Sequence, residues 1–163
     1  MSAPAGAPLA AIEASPLAAA MRQELWLYPA VEIVHIAGFV VLVGSVAVLD
    51  LRLLGLSRAI PVTRLARHTL PWALGALAAI VPSGLLMFVA HATDFIANPA
   101  FAAKMTLLLC AGANAAIFHA GVYRGVAAWD VGARPPIAAR AHAALSLALW
   151  FGVIACGRLL AYV

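Results

Sequence analysis

The sequence predicts an all-α membrane protein: a bundle of four transmembrane helices with a short N-terminal interfacial helix. Hydrophobic residues make up 66% of the 163 residues and charged residues only 10%, whereas a soluble domain is about 45–50% apolar. The apolar residues are gathered in four runs of roughly 20 residues, which is the length that crosses a bilayer core. A chain of this length therefore forms a single membrane domain over residues 1–163, without a separate soluble domain.

The first 25 residues are expected to form an interfacial segment ahead of the spans. They contain no Lys or Arg before Arg22, so the basic region that opens a secretory signal is missing and we expect no cleavage. The run from Pro8 to Met21 predicts one short helix that lies on the membrane surface or caps the bundle. Trp26 and Tyr28 then stand where an aromatic belt is expected.

Four spans follow, at about 29–49, 70–90, 101–123 and 141–163. The second contains Pro82, which removes a backbone donor and predicts a kink that frees a carbonyl group at depth. The two cysteines lie inside spans without CxxC spacing, and we interpret them as packing residues.

The positions of the basic residues predict the orientation of the bundle. Seven of the ten Lys and Arg residues lie on one side of the predicted spans and three on the other. The richer side is cytoplasmic by the positive-inside rule, so both termini are expected outside. Membrane orientation explains the net charge of +4, and we expect no nucleic acid partner. The seven residues are Arg52, Arg58, Arg64, Arg67, Arg124, Arg134 and Arg140.

Glu32 and His35 lie three residues apart on one face of the first span. Ionisable groups within a span are costly unless they are paired or ligated, so each is a candidate functional residue. The same face continues through Gly38, Leu42 and Ser45, and two of these are small enough to let a flat ligand or another helix approach. We expect His35 to be an axial ligand of a b-type haem. The alternative is that Glu32 and His35 form only a hydrogen-bonded pair.

The remaining candidates form two layers by depth. Met87 and His91 lie near the depth of that histidine in the membrane and are possible opposite ligands. Lys104, Arg158 or Arg22 is placed to pair with a haem propionate, and Lys104 alternatively with the carboxylate of Glu32. His119 lies ~23 Å further along the third span than Lys104, in a second layer with His142 and His68. The candidate cofactor-binding residues are Glu32, His35, Met87, His91, Lys104, His119 and His142, with His35 and His119 as metal ligands.

Each of these residues also has an alternative that requires no cofactor. His91 and His142 lie near helix ends, where a histidine commonly contacts headgroups, and Met87 is compatible with simple packing. Lys104 can extend along apolar surface to the interface. Asp50 with Arg52 is interpreted as an interfacial charge cluster, in which Asp50 pairs with Arg64 or Arg67. Asn114 is predicted to make an interhelical hydrogen bond.

Several motifs resemble a family of small bacterial four-helix membrane proteins of unknown function. The motifs are Trp26-x-Tyr28-Pro29-x-x-Glu32-x-x-His35, LDLRLLG at 49–55, LPW at 70–72, SGLLMF at 83–88 and NPAFAAK at 98–104. More distantly, the chain is similar to four-helix haem-binding membrane proteins that include the bacterial protoporphyrinogen oxidase and the copper-resistance D proteins. His35, Arg52 and Lys104 fall in places comparable to motif positions of the oxidase. Its Leu-Pro-Arg-Leu motif is replaced here by Leu49-Asp50-Leu51-Arg52, which argues against porphyrinogen chemistry.

Together these observations predict a bacterial inner-membrane protein that carries haem b. The expected role is electron transfer, with quinone or as the membrane anchor of a redox partner. The alternative is a haem-free accessory subunit of a larger membrane complex, and a homo-oligomer is compatible with either. A permease is disfavoured because the predicted mid-bilayer region has few polar residues. Hydrolase, nucleotide-binding and zinc-cluster motifs are absent from the sequence.

Overall fold

The computed structural model describes residues 7–162, which form helices and no strand. Four helices are long and apolar enough to cross a membrane, so the predicted all-α four-helix membrane bundle is confirmed. Large apolar side chains are exposed on these helices, as expected for a multi-pass protein surrounded by lipid. The elements are α1 (Ala7–Glu13), α2 (Pro16–Gln23), α3 (Leu27–Leu54), α4 (Val62–Ala90), α5 (Ala92–Ala97), α6 (Pro99–Ala120), a 3₁₀ helix (Val122–Ala128) and α7 (Ile137–Leu159).

The N-terminal segment forms two short helices where the sequence predicted one. The Ser15 hydroxyl accepts a hydrogen bond from the N–H of Ala18, and Pro16 occupies the first turn of α2, so a helix start lies inside the predicted helix. Helix α2 packs against α3 and α4, and α1 packs against α5. We call this covered end of the bundle the cap end. The basic end is the other end, where α3 leads into α4 and the 3₁₀ helix leads into α7.

The long helices start and stop at different residues from those predicted. Helix α3 extends to Leu54 and ends at Gly55, whose φ of 111° suits glycine. Helix α4 already begins at Val62 and carries Pro71 inside it, whereas the prediction placed Pro71 in the first turn. Helix α6 ends at Ala120 and continues as a 3₁₀ helix. The last residue of the predicted fourth span, Val163, lies outside the described residues, as do residues 1–6.

Both ends of α4 are capped by residues from distant parts of the chain. Pro61 precedes the helix and cannot cap it, so Asp130 does: its carboxylate accepts hydrogen bonds from the N–H of Thr63 at 2.8 Å and from the Thr63 hydroxyl at 2.9 Å. At the other end, the Arg22 guanidinium donates to the carbonyl oxygen of Ala90 at 2.8 Å. Both charges are favourable for the helix dipole.

The bundle consists of two closely packed helix pairs, α3 with α4 and α6 with α7, which are joined mainly through α3 and α7. Gly38 allows the closest approach in the first pair, because a Cβ atom there would lie 2.8 Å from Cγ1 of Ile80. Gly38 and Leu42 are buried and Ser45 is half-buried, whereas Glu32 on the same predicted face is exposed. The largest apolar cluster lies at the basic end and contains Leu49, Leu53, Val62, Ala66, Phe118, Trp129, Ala139 and Ala143.

Candidate ligand site toward the cap end

His35 is half-buried between α3 and α4, in the half of the bundle nearer the cap end. Its Nδ1 lies 3.1 Å from the carbonyl oxygen of Ile80 and 3.0 Å from the hydroxyl oxygen of Ser83. Its Nε2 makes no hydrogen bond to the rest of residues 7–162. Gly84 provides room for the ring, because a Cβ atom there would lie 3.1 Å from Cε1 of His35.

These contacts determine which ring nitrogen of His35 carries the proton. The Ile80 carbonyl can only accept a hydrogen bond. The Ser83 hydroxyl has one proton, and its shortest contact is the carbonyl oxygen of Ala79 at 2.6 Å, so its oxygen is left as an acceptor for the ring. Nδ1 therefore donates, and Nε2 carries the lone pair. A neutral imidazole with Nδ1–H bonded to a backbone carbonyl is the form in which histidine commonly ligates a metal.

Lys104 reaches into the same half of the bundle from α6. Its ammonium nitrogen lies 5.6 Å from the centre of the Phe39 ring, and it is 3.9 Å from the position that a Cβ atom on Gly157 would occupy. Within residues 7–162 no carboxylate lies within 4.0 Å of it, since the one ion pair described joins His91 and Asp94. The charge of Lys104 is thus directed toward the bundle without an anionic partner among residues 7–162.

The other candidates near the cap end lie apart from this pair. Glu32 is exposed and makes neither an ion pair with Lys104 nor a hydrogen bond with His35 in the part of the chain that is described, so both of those predicted pairings are wrong. Met87 is half-buried one turn beyond Gly84 on α4. His91 packs edge-on against Tyr28, with ring centres 5.7 Å apart.

A cleft of about 470 Å³ opens at the cap end beside His91. Its lining combines aromatic, acidic and apolar side chains, and it is open to the surface. The lining residues are Tyr28, His91, Asp94, Phe95, Ala97, Asn98, Pro99 and Leu160.

The second predicted layer of histidines lies on α6 and α7. The Asn114 side chain donates to the backbone carbonyl of His142 at 3.1 Å and accepts from His142 Nδ1 at 2.7 Å, so the predicted interhelical hydrogen bond is confirmed.

His119 is turned to its own helix. Its Nδ1 lies 2.9 Å from the carbonyl oxygen of Ala115, and its buried Nε2 has no partner within residues 7–162. Phe118 contacts both imidazole rings. No three His, Cys, Asp or Glu side chains gather to hold a metal ion within residues 7–162.

Asp50 and Arg52 do not form the predicted charge cluster. Asp50 is only 6% exposed and is hydrogen-bonded by the Ser146 hydroxyl of α7, rather than paired with Arg64 or Arg67. Arg52 is 2% exposed. It donates to the backbone carbonyls of Ile60 at 2.7 Å, Arg58 at 3.3 Å and Asp130 at 3.0 Å. Residues two apart on a helix point to different sides, so Asp50 turns to α7 and Arg52 turns to the loops.

Sequence reasoning missed two residues that matter here. Ser83 appeared in the sequence analysis only as the first residue of the SGLLMF motif, although it anchors the ring of His35. Its place four residues after Ala79, whose carbonyl it bonds, is a pattern that a sequence can suggest. Nothing in the sequence indicates that Asp130 caps α4, because its partner Thr63 lies 67 residues away.

A family model described as a family of unknown function (DUF6644) matches residues 26–163. The chain belongs to the DUF6644 family. It matches no curated protein and no solved structure. The match begins at Trp26, so it includes all four long helices and the candidate site and leaves out α1 and α2.

The side chains around His35 in this DUF6644 protein include donor types that haem proteins use. His35 offers the unprotonated Nε2 that iron binds. Lys104 offers an unpaired cation at similar depth, which suits a propionate. The half-buried Met87 offers a thioether on the α4 face that continues from Gly84.

Proposed function

We propose that this protein is a b-type haem protein of the bacterial inner membrane that transfers electrons, with quinone or as the membrane anchor of a redox partner. The observation that carries the proposal is the hydrogen bonding of His35, whose Nδ1 is held by the Ile80 carbonyl and the Ser83 hydroxyl. This arrangement orients the ring and leaves Nε2 for a ligand.

In this proposal each side chain near the cap end has one task. His35 would hold the iron through Nε2, with its tautomer fixed by the Ile80 carbonyl and the Ser83 hydroxyl. Lys104 would neutralise a propionate, which would give its ammonium the carboxylate that residues 7–162 do not provide. Met87 would be the candidate second ligand. When bound, the haem supplies a one-electron carrier whose potential depends on these ligands and on the surrounding apolar helices.

We also propose that the basic end faces the cytoplasm, which places both termini in the periplasm. The support is the seven-to-three distribution of Lys and Arg in the sequence. A reporter that is active only in the periplasm, fused after Val163, should then be active. A cytoplasm-only reporter that is active at the same position would reverse this orientation.

The haem proposal is tested by the absorption spectrum of the purified protein. Wild type, expressed with added haem, should be red with a Soret band and should give the pyridine haemochrome of haem b. His35→Ala should remain in the membrane and lose the Soret band. The matched control is His68→Ala, since His68 is an exposed histidine on α4 away from the site.

Two outcomes would count against the proposal. A full Soret band in His35→Ala removes His35 as a ligand. Colourless wild type that does not take up added haem favours the second candidate function, a haem-free accessory subunit of a larger membrane complex. Where haem is present, its reduction by an added quinol distinguishes direct quinone chemistry from a role as an anchor.

A further inference from the structure

The two loops at the basic end are joined into one surface by hydrogen bonds. The N–H of Gly132 donates to the carbonyl of Arg58 at 2.9 Å, and the N–H of Val62 donates to the carbonyl of Asp130 at 3.0 Å. The Arg52 guanidinium lies beneath and bonds carbonyl groups of both loops. These bonds hold the backbones of the two loops together.

This surface carries five exposed arginines, which we call the basic platform. They are Arg58, Arg64, Arg67, Arg124 and Arg134. Among the described residues, no carboxylate at this end forms an ion pair with them: Asp50 is buried, and both oxygens of the charged Asp130 carboxylate are hydrogen-bonded to Thr63. The side chains of Arg64, Arg67 and Arg124 make no hydrogen bond or ion pair within residues 7–162. The basic platform therefore has a net positive charge, because its five arginines outnumber the neighbouring carboxylate of Asp130.

Apolar side chains are interleaved with these arginines. Leu56, Ile60 and Val131 in the loops are 54%, 43% and 55% exposed, and Ile137 at the start of α7 is 80% exposed. Apolar groups that flank cations at the ends of membrane-spanning helices are typical of the boundary between headgroups and acyl chains. An acidic soluble partner would neutralise the arginines and leave these apolar side chains in water.

The depth of the arginines relative to the helix ends also indicates a lipid partner. Arg64 and Arg67 lie in the first two turns of α4, and only seven residues, 55–61, separate α3 from α4. The guanidinium groups thus emerge at the helix ends, where phospholipid phosphates lie, and do not project far beyond them. Arginine binds phosphate oxygens with two parallel N–H donors.

We propose that the basic platform binds the phosphate groups of anionic phospholipids, which makes the charge of the surrounding leaflet a determinant of the protein's stability. Anionic headgroups attract clustered juxtamembrane arginines, and this attraction weakens with salt. The inference does not depend on haem, so it can be tested with the protein in either form.

The test compares thermal unfolding of the detergent-solubilised protein with added phosphatidylglycerol, phosphatidylcholine or inorganic phosphate. Phosphatidylglycerol should raise the Tm by roughly 5 °C, as expected for a ligand near 100-fold above its Kd. The other two additions should leave the Tm nearly unchanged, and 0.5 M NaCl should remove most of the rise.

The informative variant is Arg64→Gln/Arg67→Gln/Arg124→Gln, because no protein hydrogen bond is lost with these side chains. Its Tm in phosphatidylcholine should match wild type, whereas the rise with phosphatidylglycerol should largely disappear. The triple Arg→Lys variant should keep most of the rise, since it retains the charge. Arg158→Gln is the control for an exposed arginine toward the cap end; because Arg158 also donates to the Tyr162 hydroxyl, its response to phosphatidylglycerol is compared with its own Tm in phosphatidylcholine.

Three results would overturn the proposal. The first is an equal rise in Tm with phosphatidylcholine, which would indicate general lipid solvation. The second is an equal rise with inorganic phosphate, which would indicate a phosphate site that does not need lipid. The third is an unchanged response of the triple Gln variant, which would place the lipid elsewhere. If the triple variant unfolds even in phosphatidylcholine, the single variant Arg124→Gln is compared with Arg158→Gln in the same assay.

Discussion

The two ends of the bundle differ in how their polar groups are linked to the rest of the chain. At the basic end, Arg52, Asp130 and Asn114 are each hydrogen-bonded to another element of the chain. Toward the cap end, His35 Nε2 makes no hydrogen bond within residues 7–162, and Lys104 has no carboxylate among the described residues. The difference is not one of complete pairing, because four buried atoms toward the basic end also have no partner in the described part of the chain: Asp50 Oδ2, Arg52 Nη1, His119 Nε2 and Arg140 Nε. What distinguishes the basic end is its set of hydrogen bonds between elements, which stabilise the fold.

The largest effect is expected at Arg52. Arg52→Met removes three hydrogen bonds and leaves the carbonyls of Ile60 and Asp130 without this donor, so the free energy of unfolding should fall by about 3 kcal/mol or more. Denaturant unfolding in detergent measures the change. Arg134→Met, an exposed change at the same end, should stay within about 0.5 kcal/mol. Equal effects of the two variants would show that the buried guanidinium does not secure the loops.

A smaller effect is expected at Asp130. Loss of this cap in Asp130→Ala should lower the free energy of unfolding by about 1–2 kcal/mol. The Thr63 N–H, then the Thr63 hydroxyl and Arg52, hold the pKa of the Asp130 carboxyl below its usual value. Its contribution is therefore complete above the unfolded pKa of about 3.9 and is lost as pH falls through the folded pKa.

The pH dependence supplies an internal control for Asp130. Wild type should lose more stability than Asp130→Ala between pH 5 and the acid range below the usual aspartate pKa, because the variant has already lost this group. Unfolding curves recorded at several pH values measure the difference. Parallel pH profiles for the two proteins would argue against a charged cap at α4.

The smallest effect on stability is expected at Lys104. Lys104→Gln removes a contact with Phe39 but also an unneutralised cation, so the free energy of unfolding should change by less than about 1 kcal/mol. Haem occupancy should nevertheless fall, and Lys104→Arg should largely restore it. The haem-to-protein ratio after purification gives the measurement. Equal occupancy in wild type and both variants would mean that Lys104 only extends to the interface.

The distribution of apolar residues along the sequence was sufficient to predict the fold. Four apolar runs predicted four spanning helices, since hydropathy along the chain is a property of each segment alone. The boundaries were less accurate because they depend on partners elsewhere. Helix α4 begins at Val62 because Asp130 caps it from another loop, and the sequence around Pro61 contains no sign of this. Pro71, which suited a first turn, lies well inside α4.

The candidate site was predicted only in part, because its contacts also depend on residues of other helices. His35 stood out because an ionisable residue inside a span is rare, and Lys104 because it is the single lysine of the chain. Their neighbours were harder to predict. Three-residue spacing suggested that Glu32 accompanies His35, yet Glu32 is exposed and the ring is held by Ile80 and Ser83 of the next helix. Which helix faces a given side chain is decided by packing, and periodicity gives only the face.

The capping of α4 has a consequence for the order in which the protein assembles. Thr63 emerges from the ribosome before Asp130, and 67 residues separate them, so at about 5–20 residues per second the cap arrives roughly 3–13 s after the end that it covers. The first pair of helices enters the membrane with that end still open. Its loop takes its final form only when the following helix has crossed and returned the chain to the same side. The basic end is thus completed by long-range contacts, late in biogenesis.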